Sequence, residues 1–263
     1  MTPLALAPSP PWPWIAAAPP WSRGRITTVD DARHLLPLVV RDARGPPVAA
    51  RPSARRGAPP EVPASVVARA RDGDAAAFRE LFRVHRGEVA RLALRLLGRA
   101  TELEDVVQEV FFQVHRSLKD FRGQSRFSTW LYRVTVNVVL MHRRAARSRP
   151  IFVERAEDAA RAAAGDGLRP DELAARNARL AALRRLLDRL SEKKRTVWVL
   201  HELEGVAPAE IAEIVGASVL TVRTRLFYAR RELAALIPEE PALAALAVEL
   251  EPGLPGDGGG EAR

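Results

Sequence analysis

Leu103, Val106, Val107, Val110, Phe111, Val114 and Leu118 recur at intervals that place them all on one side of an α-helix. That stripe is the signature of a buried face. The opposite side of the same helix carries Asp105, Gln108, Glu109, Phe112 and Arg116. A solvated face is expected to carry flexible charges, without a phenylalanine set amid acids and an amide. The second face therefore reads as a docking surface, and the competing reading is a solvated face with a stray Phe112.

The flanking segments repeat the helical spacing. Asp74 is placed to cap a helix whose Phe78, Leu81, Phe82, His85, Val89, Leu92 and Leu96 share one side and which ends at Gly98. Thr101, with Glu104 three residues on, has the pattern of a capping box for the two-faced helix. The loop "KDFRGQSRFS" leads into a third long helix, aromatic at its start and basic at its end. A final block begins near Arg176, with Leu180, Leu183, Leu187 and Leu190 in one stripe and Ser191 placed to cap the next helix. No segment reads convincingly as a strand, so the expected fold is all-α with two helical domains.

The expected domains are residues 63–148 and 179–238, joined by a flexible linker over 149–178. Residues 1–62 form a Pro/Ala/Arg-rich arm that is expected to be disordered, and 239–263 a flexible tail. An upstream stretch added by a wrong start site is the alternative reading of the arm. Its apolar beginning lacks a basic start and is broken by prolines, which makes it a poor signal peptide.

The 263 residues carry a formal charge of +9, and all but three of the 41 basic residues are arginine. That balance points first to nucleic acid and second to an anionic membrane as partner. Cysteine is absent, which excludes disulfides, thiolate metal sites and a cysteine nucleophile and fits a reducing cytoplasm. The five histidines form no two-histidine metal pattern on one helix turn, and His85 and His201 are expected in structural positions.

"AEIAEIVGASVLTVRTRLFYARREL" has the spacing of a helix-turn-helix. Ala212 is small where two helices approach, Gly216 stands where the turn calls for positive φ, and Ser218 is placed to cap the second helix. Val219, Val222, Leu226, Ala229 and Leu233 form its inward stripe. Thr221, Arg223, Thr224, Arg225, Tyr228 and Arg231 remain outside, where arginines can bond guanine edges or phosphates and hydroxyls can reach either.

Taken in order, "DVVQEVFFQVH", "FRGQSRFSTWLYRVTVNVVLMHRR" and the terminal helix-turn-helix resemble the extracytoplasmic-function class of bacterial sigma factors, over about residues 63 to 238. The resemblance implies that the first domain is region 2, which binds core RNA polymerase and opens the −10 element. The second would be region 4, which reads the −35 element. It implies docking of Asp105, Gln108 and Glu109, with Phe112 and Arg116 beside them, on the β′ clamp. For the −10 strand it implies Phe121, Gln124, Ser125, Phe127, Trp130 and Asn137, with Arg143, Arg144 and Arg147 for phosphates. Tyr132 lies nearby, and Trp130 is equally readable as core. For the −35 element it implies Ser218, Thr221, Arg223, Thr224, Phe227 and Tyr228.

The implied partners are core RNA polymerase (β′ clamp and β flap), promoter DNA and an anti-sigma factor. The resemblance implies no cofactor, no metal, no small-molecule substrate, no catalysis by this chain and a cytoplasmic setting. The competing classes are a stand-alone helix-turn-helix regulator, which needs neither the acidic face nor the aromatic loop, and an enzyme acting on DNA. The latter would need a carboxylate cluster for metal or an activated nucleophile, and no such arrangement stands out.

Overall fold

The computed structural model describes residues 62–147 and 170–243. The expectations for residues 1–61, for 148–169 and for 244–263 lie outside the described residues. Every regular element among the described residues is helical. The described residues fall into two compact units, 62–147 and 170–243, each with its own core.

The first unit contains α1 (Ala64–Arg71), α2 (Ala75–Leu97), α3 (Leu103–Ser117) and α4 (Phe127–Arg147). Asp74 closes the α1–α2 corner. Its carboxylate accepts the backbone N–H of Ala76 at 2.8 Å and of Ala77 at 3.2 Å, and it takes a bond from Arg69 Nε at 2.8 Å. The Arg69 bond and these two backbone bonds hold the Asp74 carboxyl below its ordinary pKa. α2 ends at Gly98, whose φ of 79° lets its N–H return to the Leu94 carbonyl.

The apolar stripes of α2, α3 and α4 meet in one core. Phe78, Leu81, Leu92 and Leu96 face Val106, Val110, Phe111 and Val114, and Leu131, Val136 and Val139 complete it. Phe82 and Phe111 pack edge-on with ring centroids 4.6 Å apart. Each such buried side chain contributes roughly 1.5–3 kcal/mol of transfer free energy.

The capping box expected at Thr101 does not form. α3 starts at Leu103 with Glu102 in the N-cap position and no side-chain cap bond, while Glu104 accepts a bond from Arg86 Nη2 at 2.8 Å. The tertiary ion pair takes the carboxylate that the local cap would have used.

The second unit contains α5 (Pro170–Arg189), α6 (Glu192–Trp198), α7 (Pro208–Val215) and α8 (Val219–Leu236). α5 begins at Pro170 and not near Arg176, so part of the expected linker is helix. Proline fits a first helical turn, and Asp171 and Glu172 complement the helix dipole there. Ser191 stands at the N-cap of α6, but its side chain makes no cap bond.

α6 runs on into a π turn, Val199–Leu203, and the chain then reverses at Gly205. The Val206 N–H reaches the Leu200 carbonyl at 2.9 Å, and buried His201 donates from Nδ1 to the Val206 carbonyl at 3.0 Å. This turn sets the angle at which α7 leaves. Trp198, Leu186, Leu200, Ile211, Ile214 and Leu233 are the largest side chains of the core it encloses. Of the stripe expected on α5, Leu187 and Leu190 are buried, whereas Leu180 and Leu183 are only half-buried.

Candidate functional site

α3 is fixed from one side and open on the other. Its apolar stripe is buried throughout, and this rotates Asp105, Glu109, Phe112 and Arg116 into solvent, with Gln108 half-buried among them. Glu109 accepts a bond from Gln113 Nε2 at 2.8 Å. The Arg116 guanidinium lies 5.6 Å from the centroid of the Phe112 ring, which is 36% exposed. The face therefore combines two exposed acids, one of them bonded to Gln113, an amide, and an aromatic ring covered by a cation.

The loop before α4 folds onto aromatic packing. Phe121, Phe127 and Trp130 form a three-ring cluster, with centroids 5.2 to 5.9 Å apart, and Phe127 also contacts His85 at 5.2 Å. All three rings are half-buried, so Trp130 is neither wholly core nor wholly surface. Beside them lies a cleft of about 690 Å³ between α1 and the loop, lined by Val67, His85, Phe121, Ser125, Arg126 and Phe127. His85 is buried, its Nδ1 3.1 Å from Glu88 Oε2, while His85 Nε2 and Glu88 Oε1 find no hydrogen-bond partner among the described residues.

Other residues expected near the −10 strand separate into two groups. Gln124, Asn137 and Arg144 are exposed. Arg143, half-buried, spends part of its guanidinium inside the domain. Its Nη1 donates to the Leu96 and Leu97 carbonyls at 3.0 and 3.1 Å, satisfying the C-terminus of α2. Tyr132 is buried in the core and presents no stacking face. The Arg147 side chain lies outside the described residues. Met141 is 66% exposed on α4, between Asn137 and Arg144.

The helix-turn-helix forms as expected. Pro208 opens α7, Gly216 adopts φ 62°, ψ 46°, and the Ala217 N–H returns to the Ala212 carbonyl at 3.0 Å. Ser218 caps α8 by accepting the Thr221 N–H at 3.1 Å. Val222, Leu226, Ala229 and Leu233 face inward, but Val219 is half-exposed because it precedes the first full turn against α7. Arg223, Thr224, Phe227 and Tyr228 are exposed, with the last two rings in edge contact at 5.4 Å. Leu220 is 74% exposed among them.

An aromatic-loop helical domain followed by a helix-turn-helix domain is the architecture of a sigma factor. Residues 81–149 match the Sigma-70 region 2 model and residues 180–233 the Sigma-70, region 4 model. The chain is 37% identical over 171 residues to the ECF RNA polymerase sigma-E factor of Haemophilus influenzae, covering 63% of this chain and 90% of that protein. It is 34% identical over 173 residues to the RNA polymerase sigma-H factor of Pseudomonas aeruginosa, covering 64% and 90%. The solved structure of CnrH in complex with the cytosolic domain of CnrY is similar at 31% identity, with a TM-score of 0.49, over 67% of this chain and 97% of that one.

The chain belongs to the ECF family of RNA polymerase sigma factors. It is an alternative sigma factor, which binds core polymerase and directs promoter-specific initiation. A region 2 domain ahead of the helix-turn-helix distinguishes it from a stand-alone regulator. Among the described residues, no helix is long and apolar enough to cross a membrane.

Proposed function

We propose that the open face of α3, formed by Asp105, Gln108, Glu109, Phe112 and Arg116, is the surface that docks on the β′ clamp of core polymerase. The observation that carries this is the division of one helix into a fully buried stripe and an acidic, aromatic face that is exposed at Asp105, Glu109, Phe112 and Arg116. Such a face works by charge and hydrogen-bond complementarity around an apolar contact. Region 4 in the same reading meets the β flap.

The aromatic cluster and its cleft then receive the displaced −10 strand. Phe121, Phe127 and Trp130 supply stacking surface, Gln124 and Ser125 supply hydrogen bonds, and Asn137 and Arg144 line the adjoining face of α4. On α8, Arg223 and Thr224 read the −35 element, with Ser218, Thr221, Phe227 and Tyr228 beside them. The chain performs no catalysis of its own, since the polymerase supplies nucleotidyl transfer, and it works in the cytoplasm. An anti-sigma factor that covers these surfaces would keep it inactive.

Replacing Asp105→Arg together with Gln108→Ala tests the central assignment. Association with purified core polymerase is expected to weaken while circular dichroism shows unchanged helix content, because both side chains lie outside the core. Undiminished co-purification with core would remove α3 from the interface.

A further inference from the structure

The first turns of α8 offer fewer free polar groups than their composition suggests. The Thr224 hydroxyl donates to the Leu220 carbonyl at 2.9 Å. Ser218 Oγ and Thr221 Oγ1 lie 2.8 Å apart, one hydroxyl donating to the other, and Ser218 Oγ also receives the Thr221 N–H. Two hydroxyl protons are thus spent inside the helix, which leaves these hydroxyls mainly as acceptors toward a base edge.

What the helix start presents instead is Leu220. It is the second residue of α8 and, at 74%, the most exposed large apolar side chain among the described residues. A single surface leucine ordinarily calls for no explanation. This one stands at the end of a recognition helix whose N-terminal residues enter the major groove first. Arg223 and Thr224, three and four residues on, share its face.

We propose that Leu220 is a specificity-determining residue for the −35 element, packing its methyl groups on the 5-methyl of a thymine in the major groove. This rests on the reading of α8 as the −35 recognition helix. The chemistry selects the occupant: thymine is the base that presents a methyl group in the major groove, and a leucine can bond neither a phosphate nor a polar base edge. Arginine and threonine neighbours suit a polyanion and leave the leucine to discriminate T·A from the other pairs.

The test uses the full chain bound to core polymerase. That holoenzyme selects −35 elements from random duplex DNA, and each thymine of the selected element is then replaced by deoxyuridine, which deletes only the 5-methyl. At one position the parent is expected to lose about three- to five-fold in affinity, the size of one buried methyl contact. Leu220→Ala, which keeps a strong helix former at an exposed position, is expected to bind thymine and deoxyuridine equally and to select elements without that thymine.

A selected element with no thymine overturns the proposal, as does a parent indifferent to every replacement or an equal loss in Leu220→Ala. Arg223→Ala separates the two levels. If it relaxes the selected sequence while deoxyuridine has no effect, Leu220 alone is misassigned. If neither substitution changes the selected sequence, α8 is not the reading helix and both assignments fall.

Discussion

The region 2 unit and the region 4 unit both bury apolar stripes, but they fasten their corners differently. In region 2 the corners are closed mainly on the backbone, with the Arg69–Asp74 and Arg86–Glu104 pairs beside them. Asp74 accepts two N–H groups at the start of α2, Gly98 turns the chain at its end, and Arg143 satisfies the carbonyls left there. In region 4 the helices are tied by pairs of opposite charge: Arg230 to Glu202, Lys194 to Glu232, Arg195 to Asp188, Arg185 to Glu240 and Arg189 to Glu239. The long helices of region 2 supply enough apolar contact to set their own packing. α6 is short, and charge pairing from it and the π turn after it to α5 and α8 adds what its smaller face lacks. The lesson is that the two units should fail by different routes.

The largest effects should come from one core deletion in each unit. Phe111→Ala is expected to cost region 2 about 4 kcal/mol, from lost burial and the cavity left beside Phe82. Glu202→Ala is expected to cost region 4 about 3 kcal/mol, because Glu202 is nearly sealed from solvent and its loss leaves Arg230 without that carboxylate. Hydrogen exchange resolved by segment checks both. The comparison sharpens if Glu202→Leu with Arg230→Met restores region 4, and it breaks if Glu202→Ala leaves region 4 protection unchanged.

The turn of the helix-turn-helix should respond more modestly. A side chain at Gly216 would meet nothing within 4 Å, so Gly216→Ala costs only the left-handed backbone, about 1–2 kcal/mol. Ser218→Ala removes one cap and is expected to cost about 1 kcal/mol. Urea denaturation of each variant measures this, and a Gly216→Ala protein as stable as the parent would show that the turn can relax away from positive φ.

Acid should have the smallest effect. The Arg185 hydrogen bonds hold the Glu240 carboxyl below its ordinary pKa, and Asp74 is held down chiefly by Arg69. A depressed carboxylate adds stability above its unfolded pKa, and that stability is lost as pH falls through the lower folded value. Exchange near Ile237–Glu239 and at the α1–α2 corner should therefore rise below the usual carboxylate range. Glu240→Gln is expected to abolish the pH dependence at the first location only; persistence there would assign it to another group.

Apart from Ser191, which makes no cap bond, and half-exposed Val219, the local signals were carried by the sequence. The stripes of α2, α3 and α8, the Asp74 cap, Gly98, Gly216 and the Ser218 cap all depend on residues a few positions apart, and each is found where the spacing places it. What escaped depends on partners far along the chain. Glu104 leaves its capping pattern for Arg86, Arg143 bonds the carbonyls of Leu96 and Leu97, and Tyr132 turns into the core. An arginine bound for a phosphate and one bound for a helix end look alike in one dimension. Leu220 belongs to neither the inward stripe nor the polar set read from the sequence, and its exposure shows only in the fold.

The Arg143 contact also bears on how force passes through region 2. Its guanidinium clips the basic end of α4 to the end of α2, from which the chain turns within a few residues into α3. The helix proposed to hold displaced DNA and the helix proposed to grip the polymerase are thereby braced at a common corner, as two arms of a bracket are. Strain imposed on α4 when the duplex parts would be delivered to the anchored arm rather than absorbed by sliding between helices.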